Sequence, residues 1–373
     1  MNKRIRALFP AAQNYTYLNS AAIAPMPRAA VRAVTSQLED ASNNGSVNMG
    51  DWTATKARAR ALLAEMLGAE ARQIAFTRNT SEGLCGAATG MRWKQGDNIV
   101  SAEGEFPANF YPWRDLRDRY GVELRLCPQK DGRIDAEKLT GLIDENTKLV
   151  TVSAVQFCSG FRIDLETIGR AARRVDALFA VDIIQALGVL PFDLPAQYVD
   201  IASGASYKWL CSPEGCGIFY LNDRALARVR PASISWMSVE RPWDFDDREQ
   251  SVKRDSLAWE TGMSGSALFY GMERSLALLK RTGAEKIAAY LEELTDFLCE
   301  IMPGRYEIFS SRRRGEKSQI VSIKPRSGAA ADSIALRLQR ERIIVSQRNG
   351  FIRIAPHFFN NWQDIERLVE YLP

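Results

Sequence analysis

Six short apolar or β-branched runs, each followed by a turn, constrain this chain more than any other feature. They are QIAFT at 73–77, DNIVS at 97–101, ELRLC at 123–127, KLVTVSA at 148–154, LFAVD at 178–182 and DIAS at 200–203. Helical patterns lie between them at 81–91, 111–120, 135–143 and 165–175. Strands separated in this way predict an α/β fold, a mainly parallel sheet with helices on both faces. Ligands of such sheets bind beyond the carboxyl ends of the strands, so the residues just after each run are the first to read for chemistry.

From residue 256 the pattern changes. Two long helices are expected at 264–279 and 283–301, then strands at 306–310, 319–324, 343–346 and 351–354, with helices at 330–341 and 361–372. This predicts a large domain over 15–255 and a smaller α+β domain over 256–373, with 1–14 packing on the latter. A chain of 373 residues with 46% hydrophobic and 25% charged side chains has enough apolar material for two cores. Its net charge of +4 is spread along the chain and leaves no footprint for nucleic acid or an anionic membrane. The first residues lack the apolar run of a secretory signal and no stretch is long enough to span a bilayer, so a cytoplasmic location is expected. Six cysteines without framework spacing fit reduced thiols. Cys211 and Cys216 have a single histidine, His357, to join them, which argues against a metal site and against histidine-dependent triads.

Four segments carry candidate chemistry. Asp182 ends one strand, Gln185 follows three positions on, and Lys208 follows the next strand. A carboxylate and an amine facing one crevice suit a pyridine-aldehyde cofactor: the amine forms an imine, and the acid keeps the ring nitrogen protonated. The plainer reading is a turn cap and a surface lysine. Thr80 and Ser81 open a helix after the first strand, where hydroxyls and free N–H groups suit a phosphate, or serve as an ordinary N-cap. Phe106, in the aromatic-rich loop EGEFPANFYPW, suits stacking on a flat ring or burial in the core. Arg353 lies in an apolar strand, where its planar fork matches a substrate carboxylate or a structural ion pair.

The strings YLNSAAIAPMP, FTRNTSEGL, GEFPANFYPW, AVDIIQALGVLPFDL, VDIASGASYKWLCSPEGCGIFYL, WETGMSGSALFYGM and FIRIAPHFFNN occur in collinear order and together resemble the class V aminotransferase family. These are fold-type I pyridoxal phosphate enzymes, a group that includes cysteine desulfurases, selenocysteine lyases and isopenicillin-N-epimerase-like proteins. The resemblance implies pyridoxal 5'-phosphate as cofactor, Lys208 as the Schiff-base lysine, Asp182 as the partner of the pyridine nitrogen and Gln185 as donor to the phenolic oxygen. It also implies a phosphate cup at Thr80 and Ser81, a ring cover at Phe106, a carboxylate grip at Arg353 and a substrate entrance lined by Asn19, Ala21 and Ala22. A homodimer with the cofactor at its interface follows from the same resemblance.

Three departures qualify it. Tyr207 stands before the lysine where many members have histidine, so a phenol is expected against the phosphate. Met263 stands where relatives often have a threonine reaching the neighbouring subunit's phosphate, which leaves only backbone N–H groups near Gly262 and Met263 for that contact. No cysteine occurs after Cys299, so the small-domain thiol of desulfurases is missing. The expected activity is therefore amino-acid transamination, yielding a keto acid. The alternatives are a lyase, epimerase or desulfurase-like reaction using Cys158 or Cys211, and a non-catalytic cofactor-binding protein.

Overall fold

The structure, a computed structural model, describes residues 3–373. Seven strands form the main sheet: β1 (Ile74–Thr77), β2 (Asn98–Ala102), β3 (Glu123–Cys127), β4 (Thr147–Ser153), β5 (Leu178–Asp182), β6 (Ile201–Ala205) and β7 (Gly217–Leu221). Their order is β1-β7-β6-β5-β4-β2-β3. The run from β3 to β6 is parallel, whereas β7 pairs antiparallel with both β1 and β6. Strand β7 was not among the expected runs. All five of its residues are buried, as in β5 and β6, and it follows β6 through a loop with no intervening helix.

Two long helices, α1 (Arg28–Asn44) and α2 (Met49–Leu67), precede the sheet and were also not expected. Helix α2 buries Thr55, Ala59, Leu63 and Leu67, a spacing of four that puts them on one face. The sheet is covered by α3 (Thr80–Gly90), α4 (Tyr111–Tyr120) and α5 (Leu165–Arg174), close to the expected bounds, while the pattern at 135–143 yields only a short helix, Ala136–Thr140. A Cβ added at Gly83 would collide with Ser203 Oγ, so glycine there lets α3 lie close over β6. Ser203 Oγ in turn donates to the Thr80 carbonyl at 2.9 Å and fixes the start of α3 above the strand end.

Helix α6 (Ser266–Thr282) packs on α1 and α2, and its Phe269, Met272 and Leu276 join the core of the large sheet. The next helix, α7 (Ala284–Glu300), gives Ile287 and Leu291 to that core but Leu294 and Leu298 to a second one. The second core lies under an antiparallel sheet of β8 (Tyr306–Ile308), β9 (Val321–Pro325), β10 (Ser346–Arg348) and β11 (Phe351–Ile354), in the order β8-β9-β11-β10. Helices α8 (Ala331–Arg340) and α9 (Trp362–Tyr371) complete it. Burial thus changes partner inside α7 rather than at residue 255, and we propose that the division between the two units falls there.

The N-terminal segment bridges both sheets. Thr16–Tyr17 pairs in parallel with Ile343–Ile344, and Asn19 bridges Ala355. Of the segment 1–14, the first two residues lie outside the described residues. Arg6 forms an ion pair with Asp364 of α9 at 2.5 Å, while Phe9 packs in the large core. No helix among the described residues is long and apolar enough to cross a membrane.

Candidate active site

The ends of β2, β4, β5 and β6 open toward the small sheet, and the candidate residues gather there. Asp182 is the last residue of β5, in register with Ser153 of β4 and Ser203 of β6. It is 2% exposed, and its Oδ1 accepts the Ile184 N–H at 2.9 Å. Burial pushes its carboxyl well above the ordinary range, the nearby Glu105 carboxylate adds to the push, and Lys208 opposes it.

Lys208 is 8% exposed, which excludes a surface lysine. Burial lowers its pKa, Asp182 resists, and Arg353 and Arg348 lower it further. Its Nζ lies 5.7 Å from the Phe106 ring centroid and 5.8 Å from that of Tyr207. Phe106 is 42% exposed and meets Phe157 edge-on at 5.2 Å, so one face of the ring is not committed to the core. Tyr207 is half-buried, and burial raises its phenol.

At the start of α3 the N-cap is Asn79, whose side chain accepts the Glu82 N–H at 2.9 Å. Thr80 and Ser81 are thereby released from the capping role. Thr80 Oγ1 is buried with no partner, a polar atom that costs free energy unless a ligand fills it. A helix start with free N–H groups and an unfilled hydroxyl could hold a phosphate.

Arg353 is 1% exposed. Its Nε donates to Ser346 Oγ at 3.2 Å and its Nη1 to the Phe157 carbonyl at 2.8 Å, while Nη2 is buried without a partner. No carboxylate pairs with it among the described residues, so the structural ion pair is excluded. Burial, with Arg348 next in weight, drives its pKa down to about 9. An unfilled fork of this kind could receive a carboxylate.

Gln185 donates from Nε2 to the Ala21 carbonyl at 3.0 Å and accepts the Trp209 indole N–H at 2.8 Å. It thus ties the segment Asn19, Ala21 and Ala22 to the strand ends. Asn19 Oδ1 is buried without a partner, and the Ala24 N–H donates to the Tyr207 carbonyl. No hydrogen bond, ring contact or ion pair among the described residues joins Gly262 or Met263 to this group. Met263 is 58% exposed.

One residue of the group was not singled out in the sequence. Glu105, next to Phe106, is buried, and its two oxygens accept from the Ser153 N–H (2.8 Å), the Ser153 hydroxyl, Asn109 (2.9 Å) and Gln156 (2.6 Å). The signal was an acid in an aromatic-rich loop directly after a buried strand. Of the thiols, Cys211 is buried in the core with its Sγ 3.3 Å from His357 Nε2, whereas Cys158 lies beside Arg353, buried, with its Sγ 3.7 Å from the Arg348 carbonyl. Burial raises both thiols.

The family model described as Aminotransferase class-V matches residues 16–359. A probable cysteine desulfurase of Methanothermobacter thermautotrophicus is 29% identical over 301 residues, 79% of this chain and 74% of the relative. An uncharacterized aminotransferase of Bacillus subtilis is 24% identical over 99% of this chain and 96% of its own length. Among solved structures, the complex of a cystine C–S lyase with its product cysteine persulfide superposes with a TM-score of 0.91 at 23% identity, covering 98% of each chain.

Proposed function

The chain belongs to the aminotransferase class-V family, whose cofactor is pyridoxal 5'-phosphate, and on that premise we propose that it cleaves the carbon–sulfur bond of a sulfur-bearing amino acid. The observation that carries the reading is the buried group Lys208, Asp182 and Arg353, with unfilled polar atoms at Thr80 and Arg353 where a phosphate and a carboxylate would sit. When bound, the cofactor supplies an electron sink that stabilises negative charge at the substrate α-carbon.

The chain's own residues divide the remaining work. Lys208 would hold the cofactor's aldehyde, and its amine, whose pKa burial lowers, would take the α-proton. Asp182 would pair with the ring nitrogen and keep it protonated. Thr80, Ser81 and the N–H groups of α3 would take the phosphate, with Tyr207 beside them; the Gln185 amide N–H not used on the Ala21 carbonyl would donate to the phenolic oxygen, and Phe106 would cover a ring face. Arg353 grips the α-carboxylate and so orients the Cα–H bond. On this route the β-sulfur would leave with its bonding electrons, and hydrolysis would yield a keto acid and ammonia. No thiol acceptor is needed for this route, which suits a chain whose Cys211 is shut in the core.

Support for carbon–sulfur cleavage over plain transamination comes from relatives such as the probable cysteine desulfurase. A homodimer is part of the same proposal. Met263 and the exposed cluster of Trp236, Trp243 and Phe245, with Trp236 and Trp243 centroids 5.1 Å apart, offer an apolar face for a second copy, whose contact would complete the phosphate cup near Gly262.

The test is product analysis of the cofactor-loaded protein with cysteine and cystine. Sulfur release with pyruvate and ammonia in equal amounts is expected. Alanine as the coproduct would mean desulfuration, and turnover that depends on an added keto acid would mean transamination. Protein that stays colourless with the cofactor would overturn the reading altogether.

A further inference from the structure

The geometry points to Arg348 as a specificity residue that receives a second acidic group, carried on the side chain of the amino-acid substrate. The inference rests on the reading of Lys208 and Arg353 above.

Placement comes from the β10–β11 hairpin. Ser346 is in register with Arg353, and Arg348 with Phe351. Side chains alternate along a strand and paired residues share a face, so Ser346, Arg348 and Arg353 lie on one face of the small sheet. The bond from Arg353 Nε to Ser346 Oγ reports that face directly. The turn is Asn349–Gly350, both at positive φ (50° and 82°), a tight hairpin that fixes the register. Ser322 is also in register with Arg353, and its hydroxyl donates to the Cys158 carbonyl at 2.5 Å, while Cys158 Sγ approaches the Arg348 carbonyl. The shared face is therefore turned toward Phe157 and Cys158. Phe157 touches Phe106, and Phe106 faces Lys208.

Charge supplies the second observation. Arg348 has no carboxylate partner among the described residues; its Nη1 donates only to the adjacent Gln347 carbonyl at 2.5 Å. Its charge reaches the site, since it depresses both Arg353 and Lys208. Neither nearby acid answers it: Glu105 already accepts four donors, and Asp182 accepts the Ile184 N–H and lies against Lys208. A substrate α-carboxylate neutralises Arg353 and leaves Arg348 unanswered. A carboxylate or sulfinate on the side chain, or the distal carboxylate of cystine, would answer it by a charge-assisted bond.

The test titrates the visible absorbance of the cofactor-loaded protein with matched pairs: aspartate against asparagine, cysteine sulfinate against cysteine, and cystine. The acidic member of each pair is expected to half-saturate at a concentration about tenfold or more lower. In Arg348→Gln the ratio between acidic and neutral members should fall roughly tenfold to a hundredfold, and Arg348→Lys should restore part of it. A second readout needs no turnover: succinate should raise the thermal midpoint of the cofactor-free protein more than acetate does, and this difference should vanish in Arg348→Gln. Neutral amino acids binding as tightly as acidic ones, or a ratio unchanged in the variant, would overturn the inference while leaving the proposed chemistry intact. If no amino acid of either class shifts the band, the reading of Lys208 and Arg353 falls, and the inference with it.

Discussion

Lys208 Nζ stands 5.7 Å from the centroid of the Phe106 ring, across the gap between the turn after β6 and the loop after β2. A flat group held at this amine therefore has a ring to lie against and a carboxylate, Asp182, at the neighbouring strand end. Lys208→Ala is expected to lose the visible band of the bound cofactor and to lower turnover by on the order of 10³ or more. Because burial lowers the amine's pKa, cofactor capture by the wild-type protein should reach its plateau well below the ordinary lysine range; a stopped-flow pH series checks this.

Asp182→Asn should separate function from stability. Turnover is expected to fall by on the order of 10²–10³, because a neutral amide does not hold the ring nitrogen protonated. The cofactor-free protein should melt at a higher temperature than wild type at neutral pH. Burial raises the folded-state pKa of this acid, so the folded state retains a proton that the unfolded state has released, and the native residue costs stability as pH rises above its unfolded value. A calorimetric comparison of the two cofactor-free proteins at pH 7 reads the effect.

His357 gives the opposite slope. It is fully buried, with Nδ1 accepting the Phe358 N–H and Nε2 facing the Trp209 carbonyl, and burial drives its pKa down to about 3. Unfolding lets it take a proton, so its contribution is complete above about pH 6.5 and is lost as pH falls toward 3, by at most about 1.4 kcal/mol per unit. Urea midpoints between pH 4 and 7 should decline more steeply for wild type than for His357→Gln.

Glu260 holds two cations at once. One oxygen lies 2.6 Å from Lys56 Nζ, and the other lies 2.5 Å from Arg60 Nη2 and accepts the Phe76 N–H at 2.9 Å. Glu260→Gln leaves both cations poorly matched in a mostly buried place and should cost about 3 kcal/mol in denaturant unfolding. Stability loss within 0.5 kcal/mol, about the size of an ordinary surface effect, would show that the ions are solvated instead.

The parallel strands were legible because each is a short apolar or β-branched run bounded by a turn, most of them separated by helices, and Asp182, Gln185 and Lys208 were legible because they end or closely follow such runs. Strand β7 was not singled out, although its run is apolar and as fully buried as β5 and β6, so it too was there to be read. Helix α1 carries an apolar face and α2 a four-residue spacing of buried positions, so both were there to be read. Glu105 escaped because its role depends on Ser153 and Gln156, which are 48 and 51 residues away, and no local pattern encodes that meeting. Arg348 lay in plain view in SQRNG, but its lack of a partner is a property of the folded chain alone.

The opening stretch of chain works as a tendon. Over nine residues it is stitched to Ile343 and Ile344, crosses to Ala355, then hands its carbonyl at Ala21 to Gln185 and its amide at Ala24 to Tyr207. Any rocking of the four-stranded layer would tug on the residues flanking Lys208, so trimming or tagging this end would slacken the machinery from a distance.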